Sequence, residues 1–457
     1  QSVRKGNFKL INPSHLGFLD PIHTPESEKT GITLHLPLGV KKDGNEAKAI
    51  VYDLKEGKEK WVSAADLHTE HIVMPDQVKW VGKKPTPIAA SVKMKDPKTH
   101  EIIEKPFSQG RYLIFNAHQL FDEATNLIPF LQNNQGNRTM TASRQATQAV
   151  SLHNREQPLV QVQSGGARTW ERIVGTQWAS ESPTDGKVVE LKKNQHNGHV
   201  DSIVIQSPDN KKHSVQVYNH FPLNDSKSFL HSSPTVSVGS EVKKGQVIAD
   251  TNFTRDGHLA LGTNLRVSYL PYKGYNFEDG IVVSKSGAQK LTSEHVHRIS
   301  IEIDPENDFM DKKKFSIYAP TAATKEQLAK LDSSGIIEVG QKVMPGDTII
   351  AAVGKRNLMG EAARAVSRLD RKEYEYKNKS QIWDSNHPGE VVKVIKNPNG
   401  KGATVFVRTL EPTEIGDKIV GRHGNKGIIT RILEDHEMPR IGSMDGKHVE
   451  VLMNPTG

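Results

Sequence analysis

Between positions 415 and 429 the chain reads I-G-D-K-I-V-G-R-H-G-N-K-G-I-I, which gathers residue types that bind phosphate. Lys418, Arg422 and Lys426 are cations, and His423 and Asn425 add hydrogen-bonding side chains. Glycine adopts φ > 0 without strain and lets a ligand or a second backbone approach closely. Four glycines in twelve residues, at 416, 421, 424 and 427, therefore predict a tight, stiff loop. On such a loop lysine serves phosphate as a point charge and arginine as a fork. A basic run that merely faces water has no use for this glycine spacing. It is not a Walker A loop, because G-x-x-x-x-G-K-[ST] is absent and Gly427 follows Lys426. A second candidate is Glu278-Asp279, whose adjacent carboxylates repel and favour exposure unless a cation lies nearby.

These residues need elements to hold them. Ile419-Val420 and Ile428-Ile429 predict strands on either side of the glycine loop. Residues 262–284 predict two strands bracketing the loop that carries Glu278 and Asp279. Residues 41–115 alternate short apolar runs with Gly, Pro, Asp and Lys clusters, the pattern of an antiparallel sheet. Leu120, Phe121, Ala124, Leu127, Ile128 and Leu131 make a helical stripe over 117–133, which Pro129 must break. Residues 137–150 predict a helix with Met140, Ala146 and Val150 on its buried side. Helices are also expected over 325–331 and 357–377, and strands over 388–407. In 12–26, prolines at 13, 21 and 25 predict an irregular backbone, and His15 and His23 read as structural. V-G-S-E-V-K-K-G-Q-V-I-A at 238–249 recurs as V-G-Q-K-V-M-P-G-D-T-I-I at 339–350, an internal repeat of turn and strand.

The 457 residues suffice for two to four domains. No apolar run approaches membrane-spanning length, and no secretory leader is evident. The absence of cysteine excludes disulfides, thiolate catalysis and cysteine-ligated metal. A net charge of +8 favours a polyanionic partner. Aromatic residues at 6% argue against recognition dominated by base stacking.

Three separated stretches carry a family resemblance. G-D-K-I-V-G-R-H-G-N-K-G at 416–427, G-Y-N-F-E-D-G-I-V-V-S at 274–284 and N-P-S-H-L-G-F-L-D-P-I-H-T-P-E at 12–26 resemble the β subunit of multisubunit DNA-directed RNA polymerases, in that family's order. L-I-P-F-L-x5-N-R, ending at Arg138, resembles a fourth segment. The resemblance covers most of the chain and implies the C-terminal portion of β. It implies a β-rich α+β fold with a double-psi β-barrel over 261–295 and 385–457, and barrel-sandwich hybrid modules in 166–260. A fork-like region over 1–115, a helical segment over 116–165 and a flap-like insertion over 296–384 complete it. The repeat, shared in architecture with biotin and lipoyl carriers, reads as structural because neither copy puts a lysine on a hairpin tip.

The resemblance also implies roles. Lys418 and Lys426 contact the RNA 3′ end and the α-phosphate, and Arg138 contacts the triphosphate of the incoming NTP. Glu278 and Asp279 lie near the nucleotide's magnesium through water. Arg422, His423, Asn425, Gln148, Arg144 and Glu26 lie along the nucleic acid. Here Arg144 stands in for an arginine the family carries where this chain has Thr147. The chain departs from the family at His23, usually glutamate, and at Ser27, usually glycine. Nucleotidyl transfer by two metals needs a carboxylate cluster, and no D-x-D-x-D run occurs. Mg2+ is thus expected mainly on a β′-type partner and the NTP. Further expected partners are the N-terminal portion of β as a separate chain, a promoter-specificity factor, DNA template and RNA product, without a membrane. A β divided between polypeptides, as in giant bacteriophages, would account for the abrupt start, and the location is cytoplasmic, in the host if viral. The alternative function is a basic nucleic-acid-binding scaffold of the same fold without catalysis.

Overall fold

Short alternating runs of apolar and polar residues put most of the chain into strands, with few and short helices. The structure, a computed structural model, describes residues 12–195, 197–224, 227–356, 376–398, 401–442 and 446–456. One compact unit comprises Gln1–Ala149, Leu159–Val174 and Lys418–Ile428; the other comprises Val150–Pro158, Gly175–Asp417 and Ile429–Gly457.

The first unit is built on a seven-stranded sheet drawn from residues 40–113. Successive residues of its inner strands face opposite cores. Val51, Ile72 and Tyr112 join Phe18 and Ile114 on one side, while Tyr52, Val73 and Leu113 join Val92 and Met94 on the other. The sheet is antiparallel, as expected, except that Ile72–Val73 runs parallel to Tyr112–Leu113. These two strands are apolar on both faces, as strands inside a parallel arrangement usually are. The helix α1 (Ala64–His68) is held by a Ser63–Asp66 capping box and adds Leu67 to the first core.

The expected helix over 117–133 is divided more finely than one break at Pro129. Ala117–Leu120 is a 3-10 turn, α2 (Glu123–Asn126) is a single turn, and Phe130 is left-handed at φ 51°. The next helix, α3 (Gly136–Thr147), buries Thr139, Ala142 and Ser143. The expected buried face was Met140, Ala146 and Val150, but Met140 and Ala146 are half-buried and Val150 is exposed. Small side chains at i, i+3 and i+4 let this helix approach its neighbours closely, which larger residues would prevent. The helix α4 (Trp170–Trp178) opens in the first unit with Glu171 and ends in the second.

In the second unit, strand Ser293–Glu302 pairs over its whole length with Gly402–Glu411. Its largest core includes Phe315, Ile336, Ile349, Trp383 and Val405. The two repeat copies fold alike: Glu241–Val242 then Val247–Thr251, and Lys342–Val343 then Thr348–Ile350. Glycines in matching places, 239 with 340 and 245 with 346, all have positive φ. Val267–Tyr269 runs parallel to Val451–Met453, which pairs antiparallel with Gly280–Ser284. One sheet thus joins segments far apart in sequence. The helix expected over 325–331 is Lys325–Ala329. That over 357–377 lies outside the described residues except at its end, where Tyr376–Asn378 is a strand. Among the described residues no helix is long and apolar enough to cross a membrane.

Candidate functional site

The lysine loop is a β-hairpin. Lys418–Val420 pairs antiparallel with the start of Lys426–Leu433, with Lys418 opposite Ile428 and Val420 opposite Lys426. Residues directly opposite each other in such a ladder share a face, and so do residues two apart along a strand. Lys418, Val420, Lys426 and Ile428 therefore project from one face, the two lysines as diagonal neighbours about 7–8 Å apart at Cα. All four are exposed. The face offers two ammonium groups beside two solvent-facing aliphatic side chains.

The hairpin tip is fixed from several sides. The Gly421 amide donates to the Asn425 carbonyl at 2.8 Å, closing the turn. Gly424 has φ +79°, and a Cβ there would stand 2.0 Å from the carbonyl oxygen of Arg138. Only glycine lets the tip lie against the first turn of α3. Arg138 returns the contact, donating to the Gly424 carbonyl at 3.3 Å while its side chain stays exposed. His423 Nδ1 meets Asn134 Oδ1 at 3.1 Å. Burial against its neighbours, then the charge of Arg422, holds the His423 imidazole below its ordinary pKa. It stays neutral around pH 7.

Arg422 departs from the expected cluster of phosphate-facing cations. Its guanidinium donates to the Val160 carbonyl at 2.7 Å and lies 3.7 Å from the Glu171 carboxylate. Glu171 is 2% exposed and also accepts the Val162 amide at 3.0 Å. Arg422 is thus a tie that fastens the hairpin within its own unit. Asn425 is exposed, and its amide group fills the space a Cβ on Gly421 would need.

Arg144 and Gln148 are exposed near the end of α3 and line a cleft of about 260 Å³ with Pro25, beside which Glu26 is exposed. In the second unit, Glu278 and Asp279 are both exposed on a turn that holds Glu278 at φ 55°. Asn276, fully buried, pins that turn by accepting from the Tyr272 amide at 2.9 Å and donating to the Leu270 carbonyl at 2.7 Å. Thr430 donates to the Tyr275 carbonyl, and Arg431 lies over the Tyr275 ring at 4.5 Å. Sequence reasoning missed Asn134, Val160, Glu171, Asn276 and Thr430. Asn134 and Asn276 lie inside the quoted motifs and could have been found there.

Residues 192–457 match the family described as RNA polymerase Rpb2, domain 6, and the chain belongs to that family. Residues 3–40 match a second, RNA polymerase Rpb2, domain 3. Similar proteins include the DNA-directed RNA polymerase subunit beta of Prochlorococcus marinus strain MIT 9211, 31% identical over 98% of this chain and 41% of that protein. The subunit of the same name from Thermosynechococcus vestitus is 29% identical over 98% of this chain and 40% of its own length. The chain spans about two fifths of the length of these relatives.

Proposed function

We propose that this chain is the C-terminal portion of a β-type subunit of a DNA-directed RNA polymerase and supplies the cationic half of its active site. One observation carries the reading: Lys418 and Lys426 project from the same exposed face of a glycine-braced hairpin whose tip is locked to Arg138. In this reading the two lysines hold phosphates of the RNA 3′ end and of the incoming NTP, Arg138 takes the triphosphate, and Val420 and Ile428 rest against sugar. Arg144, Gln148 and Glu26 lie toward template and hybrid. Such preorganised charge stabilises the pentacoordinate phosphorus of the transition state without reorganisation at the moment of reaction.

Glu278 and Asp279 do not by themselves fit a resident magnesium site. They are exposed, and among the described residues no third carboxylate or histidine joins them in a ligand group. Magnesium would activate the 3′-hydroxyl and the leaving pyrophosphate; its ligands then belong to a β′-type partner and the nucleotide, with these two acids reaching it through water. The remaining partners are an N-terminal portion of β, a promoter-specificity factor, DNA and RNA, in the cytoplasm.

The test is elongation by polymerase assembled with and without the β′-type partner. Lys426→Ala lowers the elongation rate about a hundredfold or more and leaves assembly intact. Normal elongation by that variant overturns the assignment.

A further inference from the structure

We infer that His23, His35 and Asp122 form a binding site for a first-row transition dication, zinc by preference. All three residues lie within the first unit. One ligand atom from each residue lies within 4.8 Å of the other two. The imidazoles of His23 and His35 stack nearly parallel with centroids 3.6 Å apart, and His23 Nδ1 is hydrogen-bonded to Asp122 Oδ2. Zinc binds imidazole nitrogen and carboxylate oxygen at about 2.0–2.2 Å. The stacked rings aim their nitrogen lone pairs in parallel planes, so binding turns the half-buried His35 ring out of the stack toward the His23–Asp122 pair.

Three features argue for a built site rather than an ordinary imidazole–carboxylate pair. The first is a common anchor. Asp20, fully buried, accepts the amides of Ile22 at 2.6 Å, His23 at 3.1 Å and Asp122 at 2.7 Å. The backbones of two ligand residues are therefore fixed relative to each other by one carboxylate. The second is charge: Asp20 and Asp122 place two largely buried carboxylates side by side, an arrangement a dication relieves. The third is access. His23 and His35 line the 260 Å³ cleft that also meets Thr24, Lys29, Arg144 and Gln148, which gives an entry path and room for a fourth, water ligand. Two imidazoles with one carboxylate suit zinc, cobalt or nickel and not magnesium or calcium. The bound metal would tie residues 23 and 35 to the segment that caps α2 through Asp122.

The experiment uses the full chain stripped with chelator and titrated with Co2+, then Zn2+. One Co2+ binds per chain with the visible absorption of a tetrahedral site, Zn2+ displaces it, and the thermal midpoint rises. His35→Ala alters a half-exposed side chain. Asp122→Asn retains an oxygen to cap α2 at Thr125. Each variant weakens Co2+ binding by more than about tenfold, whereas His199→Ala leaves it unchanged. The inference is overturned if the stripped wild-type chain shows no stoichiometric cobalt absorption. It is equally overturned if that absorption persists undiminished in both variants, which would assign the metal to others of the 20 histidines.

Discussion

Arg138 and Gly424 hold each other at two points: the guanidinium donates to the Gly424 carbonyl at 3.3 Å, and the Arg138 carbonyl occupies the space a Cβ on Gly424 would need. The same two residues thus set where the arginine sits and how near the hairpin comes to α3. Gly424→Ala must strain a φ of +79° and also displace backbone. A left-handed non-glycine residue alone costs about 1–3 kcal/mol, and the clash adds to it. Gly416→Ala is the control, since its φ is +99° and nothing lies within 4 Å of the added methyl. Denaturant unfolding should show Gly424→Ala as the more destabilised of the two, with faster proteolysis at the hairpin tip.

Lys418 and Lys426 share one face, so they should act together on the adjacent phosphates of the RNA 3′ end and the incoming NTP. Each alanine variant loses elongation rate. The double variant loses less than the product of the two single losses, because groups acting as a unit are non-additive. Both side chains are exposed, so the free energy of unfolding should change by no more than about 0.5 kcal/mol. Strictly multiplicative losses in single-turnover incorporation would show the two lysines acting independently rather than as one unit.

Arg422 should behave differently, since its guanidinium is engaged by Val160 and Glu171. Arg422→Ala should cost about 1 kcal/mol of stability, the scale of a hydrogen bond between groups that remain partly solvated. Arg422→Lys should not restore it, because the ammonium lacks the guanidinium's rigid planar fork that spans the Val160 carbonyl and the Glu171 carboxylate. Salt dependence of nucleic-acid binding separates the roles. Removing Lys418 or Lys426 lowers the slope of log K against log salt by about one, whereas removing Arg422 leaves it nearly unchanged.

That difference marks how far sequence reasoning reached. The hairpin that carries Lys418 and Lys426 was legible because flanking apolar pairs implied strands and the glycines implied a turn between them. The repeat was legible because its glycines sit where φ must be positive, and four of them do. Arg422 was not, since Glu171 and Val160 come from remote segments and no local pattern points to them. His23 read as a structural histidine for the same reason: its partners His35 and Asp122 declare themselves only in the fold. The buried face of α3 was misjudged because larger apolar residues were favoured over Thr139, Ala142 and Ser143. Close helix contact selects small side chains, which periodicity weighted by hydrophobicity undervalues.

The second unit carries a pH dependence of its own. His220 and His231 stack at 3.9 Å, with His199 against both rings. Burial, reinforced by the neighbouring imidazole His231, lowers the His220 pKa from its ordinary 6.5 to about 2. Burial and the neighbouring His199 bring His231 to about 4. The unfolded chain therefore takes up protons near pH 6.5 that the folded chain refuses. Stability is full above that pH and falls as pH drops toward 4, where His231 begins to charge in the fold and His220 still does not. Each histidine titrating only in the unfolded state contributes a slope of about 1.4 kcal/mol per pH unit. Urea midpoints measured between pH 7.5 and 5 should fall accordingly. His220→Asn removes one titrating group and should flatten the fall. An unchanged slope in that variant would assign the acid sensitivity to the other buried histidines whose pKa values burial lowers, His199, His295 and His297.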